Sequence, residues 1–294
     1  MKPAAFDYFR PASIEEALSR LATAGNAKLI AGGQSLGPMM NMRLATPDAL
    51  VDLNDLSELA YIREAGEMLE IGALTRHYQV AGSALVQARC PLLAQAARTI
   101  GHYAIRQRGT LGGSLAHADP AAQYGLIAVT LGARIEVVSV RGRRTLPAAA
   151  FFLGVMATAL EPDEMIRAVL FPKAALREGA AFRLFNRRHG DFAIVAAAVT
   201  VALHDGRVER LRLGLAGGGT APAAYRTLAS QFEGREPDAA WVGQLARAAR
   251  EAIAPDEDAR IPAIYRRELA EDLVRRALDR ALVKARGAAQ GVAA

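Results

Sequence analysis

The chain has 294 residues, 52% hydrophobic and 22% charged, which excludes a disordered polymer and leaves room to enclose a large ligand. Its net charge of +6 is dispersed among acids, as in YRRELAEDLVRRALDRAL, so the basic residues read as solvated helix faces and no nucleic-acid partner is expected. A single cysteine, Cys90, excludes an internal disulfide and an iron–sulfur centre held by this chain alone.

The opening MKPAAFDYFRPAS lacks the basic-then-apolar form of a secretion signal, and no run of about 18 apolar residues follows anywhere, so a cytoplasmic chain without a membrane span is expected. SIEEALSRLATAG predicts a helix with Ser13 as N-cap, Glu16 three residues on, and Ile14, Leu18 and Leu21 on one face, ended by Gly25. AKLIAGG is a short strand running into a glycine loop, and DALVDL is a second strand. EMLEIGALTRHYQVAGSALV predicts a strand and then a helix from Thr75; CPLLAQAARTIG is an Ala-rich helix stopped by Gly101.

A second glycine loop, RQRGTLGGSLAHADPAAQY, spans Arg106 to Tyr124. LIAVTLGARIEVVSV then supplies a helical segment and a strand, RGRR a turn, and EMIRAVLFP a strand closed by Pro172. Composition shifts near residues 173–180. The following AAFRLFNRRHGDFAIVAAAVTVALHDGRVERLRLGLAGGG predicts three strands, the last two joined at the hairpin signal Asp205-Gly206. Two helices, DAAWVGQLARAAREAI and AIYRRELAEDLVRRALDRAL, precede a tail expected to fray, VKARGAAQGVAA. There is no internal repeat.

Paired glycines after a strand permit positive φ and bring a ligand against main-chain N–H groups, which suit an anion. Gly32, Gly33, Gln34 and Ser35 can serve one phosphate and Thr110, Gly112, Gly113 and Ser114 a second, so a bridging diphosphate is expected. A Rossmann reading has Asp52 as its ribose acid, 20 residues after Gly32, but Gln34 breaks the G-x-G-x-x-G pattern and Gly37, Pro38 and Pro47 argue against a sustained helix. No Gly-Lys-Ser/Thr of a Walker loop occurs. The five histidines show no metal-type spacing and read as surface or loop residues. The run AGGGTAP reads as a turn. Cys90, at a helix start before Pro91, reads as a small packed residue rather than an activated thiol, and Met39, Met40 and Met42 as gap-filling packing.

Together AGGQSL, IGALTRH, IRQRGTLGGSLAHADPAA, RRHGDFAIV and YRRELAEDLVRRAL, in order from about Phe6 to Ala281, resemble the flavoprotein subunit of molybdenum hydroxylases, the group of carbon monoxide dehydrogenase medium subunits and the flavin domain of xanthine dehydrogenase. The resemblance implies an α+β chain: an FAD-binding domain of the vanillyl-alcohol oxidase (PCMH) type over 1–175, with subdomains about 1–56 and 57–175, then a smaller domain over 176–283 with a three-stranded antiparallel sheet and helices, and a flexible tail over 284–294. It implies non-covalent FAD, with the diphosphate held by Ala31 to Ser35 and Thr110 to Ser114. Further contacts are implied at Leu36, Ile100, Ala118, Asp119, Gln123, Ile166 and Arg183. Ser114 stands where the family often has Asn, Gln123 where an acid commonly binds adenosine, Ile166 where the isoalloxazine is touched, and Arg183 where xanthine dehydrogenase has a Lys. Asp119, in the ADP signature, is expected to be structural or to touch the cofactor.

The implied activity is electron transfer. A large molybdopterin-binding partner oxidises substrate, a small partner carries two 2Fe-2S clusters, and this chain's FAD serves an external acceptor, in a dimer of heterotrimers. No acid, base or nucleophile of this chain is needed. Two rivals stay open: a self-sufficient flavin oxidase or reductase on the same fold, such as the cell-wall precursor reductase, and a non-enzymatic basic binding protein whose glycine loops are only turns.

Overall fold

The computed structural model describes residues 1–290. The chain opens with β1 (Asp7–Phe9), α1 (Ile14–Thr23), β2 (Ala27–Ile30), α2 (Leu36–Asn41) and β3 (Ala49–Asp52). The three strands form a parallel sheet in the order β1-β3-β2. Ser13 caps α1 by accepting from the Glu16 N–H at 3.2 Å, and Glu16 reaches back to the Ala12 N–H at 2.9 Å. The helix buries Ala17, Leu18 and Leu21 against that sheet, with Ile14 partly covered.

The middle unit contains β4 (Ile62–Ala65), β5 (Met68–Gly72), α3 (His77–Gly82), α4 (Ala84–Arg89), α5 (Pro91–Ala97), α6 (Tyr103–Arg108), α7 (Leu111–His117) and α8 (Gln123–Leu131). It continues through β6 (Arg134–Ser139), β7 (Gly142–Pro147), a small hairpin of β8 (Phe152–Gly154) and β9 (Ala157–Thr158), and β10 (Met165–Pro172). An antiparallel sheet ordered β4-β5-β10-β6-β7 packs Leu69, Ile71, Ile135, Val137, Val169 and Phe171 under these helices. The segment RGRR is not only a turn: Gly142 onward forms the sheet's exposed edge strand, whose polar composition hides it from a hydrophobic pattern.

The last unit is an antiparallel sheet β11-β12-β13-β14, built from β11 (Glu178–Phe185), β12 (Val195–His204), β13 (Arg207–Ala216) and the two-residue β14 (Ala223–Ala224). It is followed by α9 (Arg226–Ser230), α10 (Ala239–Ala252) and α11 (Ala263–Gln290). Asp205 and Gly206 take φ of 48° and 77°, the paired left-handed residues of a tight hairpin. Every residue from Val195 to Leu203 is buried, because helices cover both faces of this sheet. Ala196 and Ala198 face the middle unit's helices; Ala197, Val199 and Val201 face α10 and α11. The tail expected to be flexible from residue 284 instead continues α11: Ala285 is fully buried and Lys284 donates to the Ala180 carbonyl at 2.8 Å. Residues 291–294 lie outside the described residues.

Candidate functional site

The first glycine segment leaves β2 at the carboxyl edge of the parallel sheet, where open sheets place their ligands. Gly33 takes φ +68°, open to glycine at little strain. The Gln34 side chain donates to the Gly32 carbonyl at 2.8 Å and pins the turn. Among the described residues, the N–H groups of Gly32, Gly33, Gln34, Ser35 and Leu36 find no hydrogen-bond acceptor in the chain. Five consecutive free donors around a left-handed residue form an anion-binding concavity. The Ser35 hydroxyl makes no cap bond and is a further donor. No sustained helix follows: α2 is only six residues long, with Pro38 inside it.

The second segment is not a loop of free donors. Thr110 caps α7, accepting the Gly113 N–H on its hydroxyl at 3.2 Å and the Ser114 N–H on its carbonyl at 3.0 Å; the Gly112 N–H goes to the Ala73 carbonyl at 2.8 Å. The expected main-chain donation from Gly112, Gly113 and Ser114 is therefore corrected: these hydrogens already serve the fold. Gly112 is glycine because a Cβ there would stand 2.6 Å from the Ala73 Cβ. What the segment offers is a wall bare at exposed Gly113, with the partly exposed Ser114 hydroxyl beside it.

The two segments touch. A Cβ on Gly32 would collide with the Arg108 carbonyl and lie 2.8 Å from the Gly109 Cα. Arg76, just before α3, bridges them: its guanidinium donates to the Arg108 carbonyl and, at 2.6 Å, to the Asn54 side-chain oxygen, while Asn54 Nδ2 donates to the Ala31 carbonyl at 2.8 Å. Burial, with Arg108 nearby, pulls the Arg76 pKa below its ordinary value, and no carboxylate among the described residues pairs with it. His77, expected at the surface or in a loop, opens α3 and is buried against Gly109, whose carbonyl accepts its main-chain N–H at 3.0 Å. Burial pushes His77 down to about 4, so the ring is neutral; it meets Tyr124 edge-on at 5.2 Å. Asn54, Arg76 and His77 gave no chemical signal in the sequence beyond the last two standing in IGALTRH. Asp52, the ribose acid of the Rossmann reading, is instead engaged by the Tyr8 hydroxyl and the Asn54 N–H.

The remaining expected residues divide. Leu36 opens α2, partly buried beside the free donors, and Ile100 presents its carbonyl to Arg106 at 3.0 Å. Ala118 closes α7 in the left-handed region at φ 51°, and the Asp119 carboxylate accepts the Ala121 N–H at 2.8 Å, an Asx turn that fixes the entry to α8. Gln123, buried, is the first residue of that helix. Ile166 lies at a bulge of β10 and is 4% exposed within the middle core, which leaves little of its side chain to meet a ring. Strand alternation puts Arg183 on the face of Ala181, toward α11, where its charge helps depress Lys284 after burial and Arg280, while Phe182 faces the middle unit. Cys90 is no reactive thiol, since burial pushes it up to about 12.

Five main-chain N–H groups and the Ser35 hydroxyl without acceptors among the described residues lie on the segment that meets Arg108 and Gly109, with the Arg76 cation joining the two segments, so these residues fit a bulky anionic linkage such as a diphosphate. Residues 4–174 match the family described as FAD binding domain in molybdopterin dehydrogenase, and residues 180–281 the CO dehydrogenase flavoprotein C-terminal domain. The chain is 38% identical to the 6-hydroxypseudooxynicotine dehydrogenase complex subunit alpha of Paenarthrobacter nicotinovorans, over 97% of each chain. It is also 38% identical to the carbon monoxide dehydrogenase medium chain of Hydrogenophaga pseudoflava, over 96% of this chain and 98% of that one. In the solved carbon monoxide dehydrogenase of H. pseudoflava lacking the Mo-pyranopterin moiety, one chain superposes with a TM-score of 0.93 at 37% identity, covering 97% of this chain and 99% of that one.

Proposed function

Because the chain belongs to the FAD-binding flavoprotein subunits of the molybdopterin dehydrogenases, we propose that its FAD diphosphate rests on the N–H groups of Gly32 to Leu36 and the Ser35 hydroxyl, with Gly113 and Ser114 as the facing wall. The observation that carries this is the row of five main-chain donors without an acceptor among the described residues. We assign 1–175 as the FAD unit, with subdomains about 1–56 and 57–175, and the remainder through α11 as the C-terminal unit. Ala118, Asp119 and Gln123 shape the edge of the site through the turn into α8. Bound FAD supplies the redox chemistry, accepting electrons and passing them on singly or in pairs. The residues here bind, orient and shield it.

The chain is an oxidoreductase subunit that acts in a multi-subunit complex. One cysteine cannot ligate a cluster, so any cluster lies on a partner; from the family resemblance we assign the 2Fe-2S clusters to a small partner and the molybdenum cofactor to a large one, assembled as a dimer of heterotrimers. Similar relatives are named for 6-hydroxypseudooxynicotine and for carbon monoxide, which fits a substrate pocket on the large partner rather than here. No described helix is long and apolar enough to cross a membrane, and we place the complex in the cytoplasm with an external electron acceptor.

Ser35→Asp tests the cradle. Ser35 has φ −109° and ψ −53°, which Asp accepts without strain, yet the added carboxylate occupies the anion site. The wild type is expected to retain a flavin absorption band and the variant to lose it, with the melting temperatures of the two flavin-free chains equal; equal flavin content would refute the cradle.

A further inference from the structure

Arg76 is partly buried, carries a full charge, and has no carboxylate within ion-pair distance among the described residues; the nearest acid, Asp52, reaches it only through Asn54, whose N–H and Nδ2 it accepts, and also takes the Tyr8 hydroxyl. Uncompensated partly buried cations are costly unless something else meets them. Its hydrogen bonds end on two carbonyls that matter for the cradle: Arg108 directly, and Ala31 through Asn54. The peptide unit is planar and trans, so its C=O and N–H point opposite ways. Holding the Ala31 carbonyl inward on Asn54 therefore turns the Gly32 N–H outward. Gln34, bound to the Gly32 carbonyl, does the same for the Gly33 N–H.

We propose that Arg76 and Asn54 form a clasp that presets the first glycine segment for the flavin diphosphate, with Arg76 also supplying positive charge beneath it. This deepens the FAD reading above and rests on it. Arg76 is a positioning residue: it orders the donors and the wall, and draws the dianion by charge. Lys cannot replace it fully, because a single ammonium does not span two acceptors as the planar guanidinium does.

The test uses the flavin-depleted full-length chain, in its complex if the complex is needed for binding, and measures FAD and ADP dissociation constants at low and high salt. Arg76→Gln is expected to weaken FAD and ADP by the same factor, about ten-fold or more, and to flatten the salt dependence. Asn54→Ala is expected to weaken both while keeping the wild-type salt dependence, and Arg76→Lys to restore the salt dependence but not full affinity. Should Arg76→Gln not fold, the last two variants still decide. Unchanged FAD and ADP affinities in variants whose flavin-free melting temperature falls would reduce the clasp to a structural brace and overturn the proposal. A wild type that binds neither ligand would instead overturn the FAD reading itself.

Discussion

Gly32 and Gly33 are adjacent but answer to different constraints, and substitution separates them. A Cβ on Gly33 meets only the Ile30 side chain, 3.4 Å away, so Gly33→Ala pays mainly the left-handed backbone penalty of about 1–2 kcal/mol. A Cβ on Gly32 strikes main chain at Arg108, which cannot swing aside, so Gly32→Ala is expected to cost more, about 2–3 kcal/mol, and to push the two segments apart. Urea midpoints of the flavin-free chain check the ranking; equal midpoints would show that the segments are not in contact. His77 adds a pH dependence. Folded, it stays neutral down to about 4 because of burial, whereas an unfolded histidine takes up a proton near 6.5. Between those values the unfolded state binds more protons, so stability falls as pH is lowered from 6.5 toward 4, by about 1.4 kcal/mol per unit at most. His77→Leu, which cannot protonate, is expected to flatten that limb of the stability curve. Identical slopes for variant and wild type would rule His77 out as the titrating group.

At the scale of elements, the readable parts were those whose signals are local. The capping pair at Ser13 and Glu16, the Asp205-Gly206 hairpin and the apolar run of β12 each depend on neighbours within a few residues, and each forms as expected. Main-chain bookkeeping was not local. Whether Gly112 donates to a ligand or to Ala73 depends on a strand end far away in sequence, so TLGGS read as a second cradle when it is the first turn of α7. Arg183 could be placed on its strand but not on a face, because β11 is covered on both sides and carries no clean alternation. Arg76 and Asn54 were invisible for the same reason: their role lies in carbonyls 32 and 23 residues away. The end of α11 was misread because alanines and a glycine look like a frayed tail, yet small residues are what β11 admits there. A chain ended after Val283 loses buried Ala285 and the Lys284 bond to Ala180, and is expected to be less stable by about 1–2 kcal/mol. Its FAD affinity should hold if the cradle lies in the first two units as proposed; a loss of flavin without loss of stability would place the helix end in the site.

Over the whole molecule, the C-terminal sheet is not a separate lobe. Ala180, Phe182, Ala196, Ala198 and Ala216 join the same buried cluster as Tyr124, Leu126 and Phe171 of the middle unit, so removing either unit exposes the other's core. Shared burial of this kind couples unfolding, and calorimetry of the full chain is expected to show one transition rather than two. Phe182→Ala probes the shared core: it empties a 5%-exposed site between the units and should lower the transition by about 3–5 kcal/mol without splitting it. FAD completes the test, because a ligand held by the first two units, as proposed for FAD, stabilises whatever unfolds with them. At a hundred times its dissociation constant it adds about 2.7 kcal/mol to the folded state, so in a coupled chain the whole transition moves up together, in wild type and Phe182→Ala alike. A C-terminal transition that stays put while another rises with FAD would show that the sheet and the flavin cradle fold independently.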